Sequence, residues 1–288
     1  MSVGEITQLS DWLPGYADYE VELSWREKRH FGRGIAKTAN KALEIAITEA
    51  FERCLVFSSG LVNSNGVAAH TTLADATHNA KMELIERDLF LCHYYTETPM
   101  RIFEYKPSAI GKLAKMGVKM DFWLTHSFGS QYCIAAIASG FDFSTPFGAI
   151  VGLGTGEDKE AAAEKAFVEC LRMTVSVINQ KKIQSISALE LAGKTKPSVM
   201  DQFNWALSLE ARNGLRAVCR QESQGIKNVE LGCDAFFNVT TLFKPSDPLD
   251  PPLFVMHAEN PRLQPLYFGV PMPSTVNIQR LTESRIIQ

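Results

Sequence analysis

Residues 64–88 read SNGVAAHTTLADATHNAKMELIERD, and the placement of charge in the second half of this stretch decides how the chain is read. Thr71 and Thr72 each offer a hydroxyl to cap a helix that the pattern carries on to about Tyr95. At about 100° per residue, Asn79, Glu83 and Glu86 form one narrow polar stripe. Met82, Ile85, Leu89 and Cys92 form an apolar stripe, and Leu73, Ala80, Leu84 and Leu91 form a second on another side. This helix is therefore predicted to be substantially buried. An uncompensated carboxylate in such a place is strongly unfavourable or takes up a proton. Two neighbouring carboxylates also repel each other, so the stable remedies are an arginine, a metal ion, or both.

The same arrangement occurs earlier as AITEAFER, residues 46–53. There Glu49 and Glu52 share a helix face with Arg53 alongside, while Leu43, Ile47, Ala50 and Cys54 form the opposite side. Ile45 lies on the acidic face, so that face is predicted to meet protein. One E-x-x-E-R alone is most simply a surface ion pair worth a few tenths of a kcal/mol. Two copies, each following glycines, point instead to a shared centre. A glycine-containing turn leads into a glutamate-bearing helix at GRG (32–34) before Glu49, at SNG (64–66) before Glu83, and at GTG (154–156) before Glu169. The spacing is similar rather than identical, and the expectation is of related elements placed around one centre.

Carboxylates, an amide and arginines together suit Mg²⁺, a hard cation usually shared between carboxylates and phosphates. Several such ions on a triphosphate would use carboxylate pairs, with arginines on the remaining phosphate charge. Glycine turns at helix N-termini would let backbone N–H groups approach phosphates. No G-x-x-x-x-G-K-[ST] occurs, and GLGTGE at 152–157 is a weak phosphate-loop candidate by itself. A carboxylate Ca²⁺ site or a dinuclear hydrolase stays open, although the six histidines are isolated and form no metal-ligand constellation.

The wider chain sets the class. Its 288 residues, 45% hydrophobic, suffice for one large domain or two modest ones. A net charge of -3 gives no footprint for nucleic acid or an anionic membrane. No signal pattern opens the chain, and no apolar run approaches the roughly eighteen residues of a membrane span. The six cysteines are scattered with no C-x-x-C. A soluble cytoplasmic protein is expected. Strands are predicted over 17–31, 100–106, 118–139 with a break at Gly129, 147–156 and 227–243. Helices are predicted from Thr38 to Phe57, from Asp158 to Asn179 and around 199–212. Prolines crowd 245–273, so irregular chain laid over the surface is expected there.

At these motifs the sequence resembles the YcaO family. The resemblance rests on G-[KR]-G followed by E-x-x-E-R (Gly32, Arg33, Gly34; Glu49, Glu52, Arg53), on the segment quoted above, and on GLGTGEDKEAAAEKAFVE. It spans residues 32–172, about half the chain. It implies a mixed α/β, YcaO-like ATP-binding domain with repeated strand, glycine turn and helix elements around a nucleotide site. A single domain over 1–288 is expected, with segment 245–288 wrapped on it. By position Glu49 and Glu52 match the first carboxylate pair, Asn79, Glu83 and Glu86 the second group, and Glu169 the third. The five glutamates are the implied Mg²⁺ ligands, with Arg33, Arg53 and Arg87 as further ATP contacts; no catalytic residue is singled out.

In the family, ATP phosphorylates a peptide amide oxygen after a nucleophile has added to the carbonyl. A neighbouring Cys, Ser or Thr then gives an azoline, an external sulfur donor a thioamide, and an amine an amidine. Cyclodehydration of a ribosomally made peptide is the reading taken forward. Thioamide or amidine formation, or a non-catalytic partner subunit, is the alternative. The implied partners are a peptide substrate and a leader-binding E1-like (ocin-ThiF-type) or TfuA-like protein, in a homo- or hetero-oligomer. Three positions depart from the family pattern: Ile45 and Ala76 stand where serine is usual, and Arg172 where glutamine is common. Pro271-Met272-Pro273 also lies inside the chain rather than at its end.

Overall fold

A computed structural model describes residues 2–25, 28–61, 63–140, 147–179, 184–220, 228–229 and 236–286. In chain order the first elements are β1 (Ser2–Gln8), β2 (Ala17–Trp25), β3 (Lys28–Ala36), α1 (Ala39–Ser58), β4 (Val67–His70) and α2 (Leu73–Thr96). There follow β5 (Arg101–Phe103), α3 (Ile110–Lys115), β6 (Val118–Leu124), β7 (Ser127–Phe128), β8 (Tyr132–Gly140), β9 (Phe147–Gly156) and α4 (Lys159–Ile178). The last are α5 (Ala188–Ala192), α6 (Val199–Ala206), α7 (Leu209–Val218), β10 (Asn228–Val229), β11 (Asn238–Phe243), β12 (Phe254–Glu259) and α8 (Ile278–Ile286). The architecture is mixed α/β, as expected. Internal contacts divide the chain into two compact units, Met1–Ile85 with Cys233–Asn260, and Glu86–Gly232 with Pro261–Gln288.

The first unit holds two antiparallel three-stranded sheets, β1-β2-β3 and β11-β12-β4. Helix α1 packs its apolar side into a core formed by Leu23, Ala50, Phe51, Leu55, Val67, Ala69 and Val255. Phe51 is fully buried and meets Trp25 and Phe243 edge to face, with ring centroids 5.6 and 5.0 Å away. Such a ring contributes about 1.5–3 kcal/mol by burial alone, and edge-on geometry adds to it. The proline-rich stretch is more regular than expected. Phe254–Glu259 forms the central strand of its sheet, because FVMHAE between the proline clusters keeps every backbone N–H needed for pairing on both edges.

The second unit is built on the antiparallel sheet β5-β6-β8-β9. Helix α4 covers one face. On the other, Trp123, Ala135 and Ala149 pack with Leu215 and Val218 of α7, and Phe90 and Tyr94 of α2 border the same cluster. A sheet covered on both faces explains why QYCIAAIA, residues 131–138, is apolar almost throughout instead of alternating. The single helix expected over 199–212 is two. Ser208 caps α7 by accepting from the Ala211 N–H, and Gly148 N–H takes the carbonyl of Leu207, which ends α6. Asp88, fully buried on α2, holds Arg280 of α8 bidentately and accepts from the Gln264 N–H, anchoring the final segment. Among the described residues no helix is long and apolar enough to cross a membrane. Of the strands expected over 227–243, residues 227 and 230–235, including Cys233, lie outside the described residues.

Candidate functional site

Two strand-pair-and-helix elements repeat with a constant offset. The hairpin β2-β3 feeds α1, and the hairpin β8-β9 feeds α4. Gly32, Gly34, Thr38, Ala42, Ala46 and Glu49 recur 120 positions later as Gly152, Gly154, Asp158, Ala162, Ala166 and Glu169. In each copy the glycines belong to the strand, not to a turn. Gly34 pairs with Tyr19 and Gly154 with Ile134. They are glycines because the helix lies on them. A Cβ at Gly34 would stand 1.9 Å from the Ala42 carbonyl oxygen, and one at Gly154 would stand 2.3 Å from that of Ala162. The equivalent of GRG is thus GLG at 152–154, not GTG at 154–156, and with that alignment the spacing to glutamate is the same in both copies.

At the first and third of the three glycine segments this corrects the expectation that glycine turns offer backbone donors to phosphate, whereas Asn65 and Gly66 do form a turn, with Gly66 at φ +71°. The N–H groups in question face inward to the helix glutamates. Arg33 N–H donates to Glu49 Oε2 at 2.8 Å, and Leu153 N–H donates to Glu169 Oε2 at 2.6 Å. The helix N-termini are occupied as well. Thr38 caps α1, and Asp158 caps α4 by accepting from Ala161 N–H at 2.8 Å, with Glu157 and Glu160 beside it. An acidic cap of that kind repels a phosphate rather than binding it. GLGTGE is a paired strand leading into a helix, not a phosphate loop.

In the first unit, Glu49 Oε1 also accepts from Arg53 at 2.9 Å, and Arg53 reaches on to the Phe31 carbonyl at 2.7 Å. Glu52 Oε1 accepts from the Ala69 N–H of β4 at 2.6 Å. The Arg33 side chain is buried and lies bidentately on Asp18, at 2.8 and 2.6 Å, with Ser10 donating to the same carboxylate at 2.7 Å. Its guanidinium therefore serves a buried ion pair in the hairpin. On α2, Thr72 is the capping threonine, accepting from Asp75 N–H. Asn79 is exposed and Glu83 half-buried, so the first turns of this helix are more open than its sequence suggests.

In the second unit Glu86 and Arg87 are half-buried, and the Thr155 hydroxyl donates to Glu86 Oε2 at 3.3 Å. Thr155 pairs with Cys133 across β8-β9, and the Cys133 thiol donates toward the Glu86 carbonyl at 3.8 Å. Burial, then the negative charge of Glu86, and more weakly that of Glu169, push the Cys133 thiol well above the ordinary range. Cys170, behind Glu169 on α4, is pushed up to about 12, chiefly by burial. Neither thiol is a nucleophile or a metal ligand in that state.

The donors these residues offer are carboxylate oxygens and, beside Glu86, a hydroxyl, the chemistry that suits Mg²⁺ and not a thiophilic or imidazole-loving metal. Among the described residues no three His, Cys, Asp or Glu side chains form a group able to hold a metal by themselves. Mg²⁺ does not need such a cage, since it is commonly held by one or two carboxylates together with phosphates and water. The residues fit metal ions shared with a polyphosphate. They do not make the closed protein site of a Ca²⁺ sensor. Thr155 escaped notice in the sequence because its role depends on the strand register.

Over residues 58–230 the sequence matches the model of a protein family described as YcaO cyclodehydratase, ATP- and Mg²⁺-binding. No curated protein matches it. Among solved structures, the fold is similar to that of YcaO from Methanopyrus kandleri bound with AMPPCP and Mg²⁺. That likeness has a TM-score of 0.60 at 13% identity and covers 91% of this chain and 86% of that one. It is also similar to a heterocyclase in complex with substrate and cofactor, with a TM-score of 0.65 at 13% identity over 91% of this chain and 50% of that chain. A third likeness is to the E. coli microcin synthetase McbBCD complex, with a TM-score of 0.63 at 11% identity over 90% of this chain and 88% of that one. At such identities the likeness is one of fold.

Proposed function

This chain belongs to the YcaO family, whose description is ATP- and Mg²⁺-binding, and from that premise we propose that it activates backbone amides of a ribosomally made peptide and converts Cys, Ser or Thr residues to azolines. The observation that carries the reading is the way its glutamates are held. Glu49, Glu52 and Glu169 each accept a backbone N–H, and Glu86 accepts the Thr155 hydroxyl. A carboxylate has about four lone-pair sites, so one oriented donor fixes its direction without exhausting its capacity for a cation. Pinned in this way, the group loses little further freedom when a metal arrives.

Glu49, Glu52, Glu83, Glu86 and Glu169 are the proposed metal ligands, with Asn79, Arg53 and Arg87 as polar contacts to the nucleotide. Arg33 acts indirectly in this scheme: its N–H orients Glu49 while its side chain neutralises Asp18. Bound ATP supplies the phosphoryl group that turns a poor leaving group, the amide oxygen, into a good one. The protein's part is to fix charge and position around that group. The heterocyclase in complex with substrate and cofactor and the microcin synthetase McbBCD complex support a substrate and a partner protein for this chain; a peptide as that substrate and a leader-binding role for that partner are part of the proposal.

The test is Mg²⁺-dependent release of ADP and phosphate in the presence of a Cys-, Ser- and Thr-containing precursor peptide and its partner protein, with the peptide followed by mass spectrometry. Loss of one water per ATP consumed is the expected result. Exchange of oxygen for sulfur would assign thioamide formation instead. Metal-dependent hydrolysis that needs no nucleotide would overturn the reading altogether.

A further inference from the structure

The two hairpin-and-helix repeats diverge at one charged position. The correspondence that matches Glu49 with Glu169 also matches Glu52 with Arg172. Each stands three residues beyond its glutamate, hence on the same face of its helix. In the first unit that position delivers a second carboxylate, oriented by the Ala69 N–H at 2.6 Å. In the second it delivers a guanidinium, half-buried beside Glu169. Replacing a carboxylate by a guanidinium adds two positive charges, which is the charge of one divalent ion.

The surroundings favour that substitution of roles. In the second unit the Leu153 N–H orients Glu169 at 2.6 Å and the Thr155 hydroxyl reaches Glu86 at 3.3 Å, and among the described residues no group of three His, Cys, Asp or Glu side chains able to hold a metal is formed. Arg53, which pairs with Glu49 in the first repeat, is matched by Met173 in the second, so Arg172 is not simply the repeated copy of that partner. A guanidinium is permanently charged and presents a planar fork suited to phosphate oxygens.

We propose that Arg172 binds the polyphosphate of the nucleotide directly and supplies the positive charge that an added Mg²⁺ would bring to a carboxylate at this position. The proposal rests on the Mg²⁺–ATP reading given above and assigns a residue to that site which neither the family description nor the related structures name. The competing role is an ion pair with Glu169 that matters only for the fold.

Binding of AMPPCP to the full chain, measured by titration calorimetry over a series of Mg²⁺ concentrations, separates the two. Arg172→Gln is expected to weaken binding roughly tenfold or more, the scale of one lost charge-assisted contact, and to raise the Mg²⁺ concentration needed. Arg172→Lys restores part of the affinity. Arg172→Glu, which recreates the acidic pair of the first repeat, makes binding depend more steeply on Mg²⁺. Thermal unfolding without nucleotide reports on folding in each variant. Unchanged affinity and Mg²⁺ dependence in Arg172→Gln, with only the unfolding temperature altered, would overturn the proposal and leave the nucleotide reading intact. Failure of the unsubstituted chain to bind AMPPCP at any Mg²⁺ concentration would refute both.

Discussion

Substituting alanine for Gly154 tests the link between packing and the site. The added Cβ would lie 2.3 Å from the Ala162 carbonyl oxygen, 2.5 Å from the Ala166 nitrogen and 2.8 Å from the Lys165 Cβ. Two of those neighbours are helix backbone and cannot swing aside. Ordinary contact begins at about 3.5 Å, so α4 must move away from β9 by about 1 Å. The Glu169–Leu153 hydrogen bond, now 2.6 Å, would then stretch to about 3.6 Å and cease to be one. Overpacking of this kind costs about 1–3 kcal/mol, and a stranded strand N–H adds about 1–3 kcal/mol. A loss of roughly 2–6 kcal/mol in chemical denaturation is therefore expected, together with weakened Mg²⁺-dependent nucleotide binding. Gly111→Ala is the control. Nothing lies within 4 Å of its Cβ, and it sits in α3, so it should stabilise by about 0.5 kcal/mol. If Gly154→Ala unfolds at the same denaturant concentration as the unsubstituted chain, the close-approach account of these glycines is wrong.

Asp88→Asn leaves Arg280 buried opposite a neutral group and should cost about 3–5 kcal/mol by urea unfolding, whereas Asp88→Leu combined with Arg280→Met should cost clearly less. Equal losses for the single and double variants would show that the pair does not act as a unit. His93 donates from Nδ1 to the Thr98 carbonyl and accepts at Nε2 from His126 N–H, so its fold requires the neutral ring. Burial, only partly opposed by the Thr98 bond, lowers its pKa. A base whose pKa is lowered in the folded state contributes stability fully above the unfolded value near 6.5, and that contribution is lost as pH falls below it. Unfolding midpoints should therefore drop below pH of about 6.5 and do so less in His93→Gln; the same pH slope in both would refute the assignment.

The three long helices α1, α2 and α4 were legible because each has a cap and a sided pattern. Thr38, Thr72 and Asp158 cap where the sequence offers them, and Glu49, Glu83, Glu86 and Glu169 fall on helices as their spacing requires. The glycines misled. A glycine run reads locally as a turn, but Gly32, Gly34, Gly152 and Gly154 owe their identity to a helix lying on the strand, a tertiary cause that local chemistry does not reveal. Arg33 misled in a similar way. Nothing near it in sequence announces that Asp18, across the hairpin, takes its guanidinium. Partnerships set by strand register, such as Thr155 with Glu86, become visible only once β8 and β9 are paired.

Calorimetric titration of AMPPCP into the unsubstituted chain, Glu83→Gln and Glu86→Gln, each with and without Mg²⁺, tests the central claim most directly. Glutamine keeps the size of the side chain and an acceptor oxygen but removes the charge that holds a metal. The account requires binding that depends on Mg²⁺ in the unsubstituted chain and is largely lost in both variants while they remain folded. Binding that ignores Mg²⁺, or that survives both substitutions unchanged, would contradict it.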